Sequence, residues 1–200
     1  MIFTFDDLML RFNEYTDIKG RIRREVQSGR LTQITRGLYE SNMYADGKYL
    51  AVAIYGPSYL SFDYVLSLYS LIPEFVYKTY TSATFNKGKI KRHENSFGLF
   101  TYRDVPNDVY NIGVEIREGD GYSYQIATPE KALCDKLYSL PPVKSLCDLR
   151  TMLFDDLRID EISFWELNLN DIQEIAPLYR ATNLKLLLKL MRRKINCRQY

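Results

Sequence analysis

The sequence predicts an α+β protein, with an N-terminal winged helix-turn-helix over residues 1–45 and a mixed α/β domain over 46–200 whose last part is helical. Three observations predict it. The first forty residues read as helix, turn, basic helix and β-hairpin. Short alternating strands then fill the middle of the chain, and helices gather at the end, which argues against a doubly wound sheet. The composition, 46% apolar and 26% charged over 200 residues, suits a chain that buries a core.

The elements follow in order. Thr4 precedes Phe5, Leu8, Met9 and Phe12 at helical spacing, and Asp6 and Asp7 sit near the positive helix end, so a short helix capped by Thr4 is expected. After a turn over Asn13–Thr16, either Thr16 or Asp17 caps a second helix whose apolar stripe is Ile18, Ile22 and Val26. Ser28-Gly29 ends it, because glycine closes a helix in the left-handed conformation at no steric cost. Leu31–Thr35 and Leu38–Glu40 then form a hairpin across Arg36-Gly37. A full module of this kind has a further helix before Thr4, so either the module is truncated or a later segment supplies that support. Asp46-Gly47 marks the boundary. Ser61 is expected to cap a helix containing Phe62, Val65, Leu66 and Tyr69, ended by Pro73. Val76–Ala83 and Phe97–Tyr102 alternate as strands around the basic segment Asn86–Glu94. Gly113–Arg117 and Tyr122–Ala127 pair across Glu118–Gly121. Thr128 caps a helix with Pro129 at its first position. Helices follow near Val143–Phe154, Glu161–Glu166, Asn170–Ile175 and Leu184–Ile195, the last capped by Asn183.

Charge is balanced overall at +2 but unevenly spread. Between Ile18 and Arg36 six cations face one acid, Glu25, a local net of +5. Between Lys185 and Arg198 six cations face none. Lys87, Lys89, Lys91 and Arg92 form a third group, whereas Asp155–Glu174 is acidic. Basic patches on a near-neutral chain point to localised contact with a polyanion. A helix fits the major groove, where Arg23 or Arg24 has the donors to pair with guanine and Gln27 with adenine. Lys19, Arg21 and Arg30 add charge around that helix, and Thr32, Gln33, Thr35 and Arg36 lie on the hairpin, suited to phosphates or the minor groove. Double-stranded DNA is therefore the expected partner. On the last helix, Lys185, Lys189, Arg192 and Arg193 lie off the stripe of Leu184, Leu187, Leu188, Met191 and Ile195, and are expected to form a second polyanion contact. The alternative is a protein-interaction scaffold whose winged helix contacts protein instead of DNA.

Enzymatic chemistry finds little material. The single histidine, His93, disfavours His-ligated zinc and Ser-His-Asp sites. Glu130, Lys131 and Asp135 read as a helix-start acid and ordinary spaced charges. Asp155 and Asp156 are adjacent on a helix and point about 100° apart. No phosphate-binding glycine loop is present. No catalytic residue, metal or cofactor is assigned. No apolar run approaches the length that a membrane-spanning helix needs. Three irregularly placed cysteines and the lack of a signal-peptide pattern fit reduced thiols in the cytoplasm.

Three segments carry a resemblance. Ile22–Tyr39, which runs through Ser28-Gly29-Arg30 to Arg36-Gly37-Leu38-Tyr39, resembles the winged-helix end of AbiEi-type antitoxins. Tyr59–Ile72 is similar to that family's strand-Ser-helix segment, with Ser70 in place of its usual glycine. Ala127–Tyr138 is similar to its Glu-Lys-Ala-Leu-hydrophobic-Asp helix. The resemblance implies a DNA-binding transcriptional regulator, acting at its own promoter as the antitoxin of a bacterial abortive-infection (type IV) toxin–antitoxin system. It also implies a cognate nucleotidyltransferase-type toxin that need not form a stable complex with this chain.

Overall fold

A computed structural model describes residues 1–74 and 77–197, with side chains as far as Arg192. The protein is α+β, built on a three-stranded and a six-stranded sheet.

The N-terminal part starts with a strand the sequence reading did not anticipate, β1 (Ile2–Thr4). Helix α1 (Phe5–Arg11) follows, and Thr4 caps it as expected, with a reciprocal bond from its own backbone N–H to Asp7. Helix α2 (Ile18–Gln27) takes Asp17 as its cap, with the carboxylate accepting from Gly20 N–H at 2.9 Å. A Cβ at position 20 would lie 1.9 Å from the Asp17 carboxylate, so a larger residue there would displace the capping side chain. Strands β2 (Thr32–Thr35) and β3 (Leu38–Glu40) form the hairpin, turned by Gly37 at φ +78°. β1 pairs antiparallel with β3, so the sheet order is β1-β3-β2.

Period-two alternation gives this sheet two working faces. Phe3 and Tyr39 pack with Leu8, Ile22 and Leu31 in a small cluster under the two helices. Ile2, Ile34 and Leu38 pack instead into the large core. Glu40 is fully buried and accepts from the Tyr122 hydroxyl at 2.9 Å and from Asn42 N–H at 2.8 Å.

A single 3₁₀ turn (Gly47–Tyr49) and α3 (Ala51–Ile54) lead to β4 (Tyr59–Leu60) and α4 (Phe62–Leu68). Ser61 stands at the cap position of α4, but its hydroxyl makes no capping bond and donates to Asp135 at 2.6 Å. The helix closes before Pro73, through Ser70 at φ +57°. That left-handed conformation is the one glycine usually supplies.

Strand β5 (Thr79–Thr84) starts later than expected, because Lys78 at φ +47° interrupts the extended run, and Val76 lies outside the described residues. Strands β6 (Lys91–Asn95), β7 (Gly98–Asp104), β8 (Val114–Gly119) and β9 (Tyr122–Ala127) complete the larger sheet in the order β6-β7-β5-β4-β9-β8. β6 falls mostly within the basic segment 86–94, where no strand was expected, since only pairing to β7 makes its wholly polar run extended. β8 and β9 turn through Asp120 and Gly121, both at positive φ, as a two-residue hairpin requires.

Helix α5 (Pro129–Tyr138) has the expected Thr128 cap and leading proline. Then come α6 (Leu146–Thr151), a π-helical turn (Met152–Asp156), α7 (Glu161–Glu166), α8 (Leu169–Ile175) and α9 (Thr182–Cys197). Asn183 is not the cap of α9. It lies inside the first turn, buried, accepting from Val143 N–H at 2.9 Å and donating to the carbonyls of Leu137 and Pro141. It ties the end of α5 to the start of α9. Among the described residues no helix is long and apolar enough to cross a membrane.

Candidate functional site

Helix α2 is amphipathic, and its two faces have different uses. Ile22 is buried, with Ile18 and Val26 partly buried beside it, against the small cluster. Lys19, Arg23 and Gln27, spaced four residues apart, stand on the outer face with Arg24 alongside, all exposed. Gln33 and Arg36 are exposed on the hairpin, and Thr32 is half-buried. Lys19, Arg23, Arg24 and Arg36 have no ion-pair partner among the described residues. Four free cations therefore share a small unit whose helices stand on one face of a three-stranded sheet.

Arg21 and Arg30 differ. The Glu25 carboxylate is buried and clasps both, at 2.6 Å to Arg21 and 2.5 Å to Arg30 Nε. Arg30 adds a second bond at 3.2 Å, making the pair bidentate. The Arg21 guanidinium also lies 4.8 Å from the Tyr15 ring centroid and 5.6 Å from that of Phe12. Arg30 holds the end of α2 to the chain entering β2, whereas Arg21 pairs within the helix and packs on the rings that precede it.

The clasp has a pH signature. The hydrogen bond from Arg30 holds the Glu25 carboxyl below the usual carboxylate range, against the opposing effect of burial. A depressed carboxylate pKa stabilises the fold fully above the unfolded-state value of about 4.3, and that stabilisation is lost as pH falls through the folded-state value. Glu25→Gln should therefore melt below the wild type at pH 7. The difference should narrow below about pH 4.3 in a series of thermal melts. A gap independent of pH would show that the charge of Glu25 contributes nothing.

The hairpin is also joined to the larger sheet. Asn95 at the end of β6 donates its side-chain amide to the Ile34 carbonyl of β2 at 3.0 Å. β6 leads back from that joint to Arg92 and Lys91, and the turn beyond it is fixed by Asp104, whose carboxylate accepts from Lys87 and Gly88 N–H, both at 2.7 Å. The third basic group is thus divided between this turn and strand β6.

On α9, Lys185, Lys189 and Arg192 are exposed, opposite the buried Leu184, Leu187 and Met191. The side chain of Arg193 lies outside the described residues. Nothing brings this face and that of α2 into direct contact among the described residues.

The helix Glu130–Asp135 corrects the sequence reading more sharply. Its charges do not face solvent: Lys131 and Asp135 have no exposed side-chain surface and pair at 3.0 Å. The Asp135 carboxylate also accepts from the hydroxyls of Ser61 at 2.6 Å, Tyr59 at 3.0 Å and Tyr179. Lys131 donates to the Tyr179 hydroxyl at 2.6 Å. Burial outweighs the pull of Asp135 and holds the Lys131 ammonium below its ordinary pKa. Burial first, and then the Asp135 charge, push the Tyr59 and Tyr179 hydroxyls well above theirs. Glu130 accepts from Asn168 N–H at 2.9 Å and fixes the start of α8. The cluster is sealed and ties β4, α5 and the segment before α9 together. Among the described residues, no three His, Cys, Asp or Glu side chains are grouped to hold a metal ion.

No protein-family model matches the chain, and no curated protein matches it significantly.

Proposed function

We propose that this chain is a cytoplasmic DNA-binding transcriptional regulator that acts, without catalysis of its own, as the antitoxin of an abortive-infection type toxin–antitoxin system. The observation that carries the DNA-binding part is the pairing of β1 with β3 behind α1 and α2. It supports reading residues 1–45 as a winged helix-turn-helix, with α2 as the recognition helix and β2–β3 as the wing. On this reading Arg23 and Arg24 lead the contact, Lys19 and Gln27 extend it along α2, and Thr32, Gln33 and Arg36 reach the backbone from the wing. Arg21 and Arg30 brace the helix through Glu25. The antitoxin role and the nucleotidyltransferase-type toxin rest on the family resemblance.

The test is a mobility-shift titration on the DNA directly upstream of the reading frame, repeated at several salt concentrations. Each neutralised phosphate contributes about −0.9 to the slope of log K against log salt, so the slope should be clearly negative and steepen with each basic side chain that meets a phosphate. No shift at low salt, or a flat salt response, would remove the DNA-binding reading. For the toxin, co-expression with the neighbouring reading frame should relieve that protein's growth arrest.

The α9 face makes a separate prediction. Changing Lys185, Lys189, Arg192 and Arg193 together to glutamate should leave the circular dichroism spectrum unchanged, because exposed single charges contribute little to folding. Affinity for DNA should fall, and the salt slope should become shallower by about 0.9 for each phosphate no longer neutralised. An unchanged slope in the folded variant would mean that this face meets only solvent.

A further inference from the structure

A second concave surface shares no residue with these basic groups. Between the segment that leaves β3, helix α4 and the start of β5 there is a cleft of about 750 Å³, within the size range of small-ligand sites. Of the twelve exposed large apolar side chains among the described residues, four line this one cleft: Met43, Tyr44, Leu68 and Tyr77. Tyr44 is 85% exposed and Tyr77 70%, although both stand beside a concave surface that could have buried them. Convergence of exposed apolar groups around a polar-rimmed concavity marks a binding site, not scattered surface.

The inner wall is aromatic. Tyr64 and Tyr80 approach at 5.3 Å between ring centroids, and Tyr80 stacks on Phe100 at 5.1 Å and 22°. The Tyr80 hydroxyl is already engaged, donating to Asp46 at 2.9 Å and accepting from Gly47 N–H at 3.1 Å. This wall is rigid, and it offers ring surface more than hydrogen bonds.

The charge at the cleft is positive once its internal pair is removed. Asp46 is satisfied by Tyr80, by Lys48 N–H at 3.0 Å and by the Lys48 ammonium at 3.2 Å. Lys78 remains, exposed, with its ammonium 5.6 Å from the Tyr77 ring. An aromatic wall of tilted rings, two exposed tyrosines and one cation without an acid partner among the described residues suit a ligand with a planar ring and an anionic group.

We propose that this cleft is a binding site for a small planar aromatic anion, with the ring held among Tyr44, Tyr77 and the Tyr64–Tyr80 wall and the anion set against Lys78. The site is independent of the DNA-binding reading.

Isothermal titration of the full chain tests it, with 1-naphthyl phosphate as probe and uncharged 1-naphthol as control. Naphthyl phosphate should bind at one site, and naphthol at least about tenfold more weakly, because it lacks the charge that meets Lys78. Lys78→Glu should weaken naphthyl phosphate by about tenfold or more, and Tyr77→Ala should weaken both probes severalfold through loss of ring contact. Both positions are exposed, so the variants should keep the wild-type melting temperature. Equal binding of the two probes would overturn the anionic assignment. Absence of saturable binding, or binding unchanged in both folded variants, would overturn the site itself.

Discussion

Replacing Arg23 and Arg24 together by alanine should remove nearly all binding to the upstream DNA and leave the fold intact. The two guanidiniums are exposed on the outer face of α2, with no ion-pair partner among the described residues. Alanine is the best helix former, and surface changes of this kind move stability by about ±0.5 kcal/mol. Each arginine that contacts a base contributes about 1–3 kcal/mol, so losing both should raise Kd by roughly thirtyfold to 10⁴-fold. Fluorescence anisotropy with labelled promoter DNA measures it. Arg30→Ala gives an internal contrast: its larger effect should be on melting temperature, because Arg30 is held by Glu25. A double variant with wild-type Kd would take α2 out of the interface.

The largest effect on stability should come from Asp135→Ala. The carboxylate is the shared acceptor for Lys131, Tyr59, Ser61 and Tyr179, all of them buried. Removing one member of a buried ion pair costs about 3–5 kcal/mol, because the other charge stays buried and uncompensated. That is a large share of the roughly 5–15 kcal/mol that holds a domain together. Urea denaturation should show the midpoint falling accordingly. Lys131→Met combined with Asp135→Leu should recover only part of the loss: it removes the uncompensated charge, but the hydroxyls of Tyr59, Ser61 and Tyr179 stay buried without their acceptor. A loss below about 1 kcal/mol in Asp135→Ala would mean that water reaches the cluster.

How far the sequence carried depends on whether the deciding interaction is local. The caps Thr4 and Thr128 were legible because each bonds to a backbone N–H three residues away. The β8–β9 hairpin was legible because Asp120-Gly121 forces its own turn. β1 was not, since its short run becomes a strand only by pairing with β3, at the far end of the N-terminal unit. β6 has no apolar residue to alternate, and its extended form comes from β7. Asn183 and Ser61 are good cap residues, yet Asn183 lies inside the first turn of its helix, and partners distant in sequence take the polar atoms of both. The same holds for Lys131 and Asp135: their i,i+4 spacing is that of a common surface pair, and only Tyr59 and Tyr179, brought from elsewhere, make it a core. The outer face of α2 was legible from helical period alone. The separation of Arg21 and Arg30 from the free cations was not, because it depends on Glu25 being buried. The aromatic cleft gave no sequence signal, its walls being drawn from segments far apart in the chain.

The three-stranded sheet is shared between two apolar clusters, and this makes their stability common property. Phe3 and Tyr39 belong to the small cluster, whereas Ile2, Ile34 and Leu38, on the same three strands, belong to the large one. Peeling the N-terminal helices away would uncover one face of a sheet whose other face helps to close the main core. Opening the main core would likewise strip the support from under α1 and α2. The outward-facing arginines therefore sit on a platform whose rigidity is drawn from the whole molecule, and a defect as remote as the Asp135 cluster has a structural route to them.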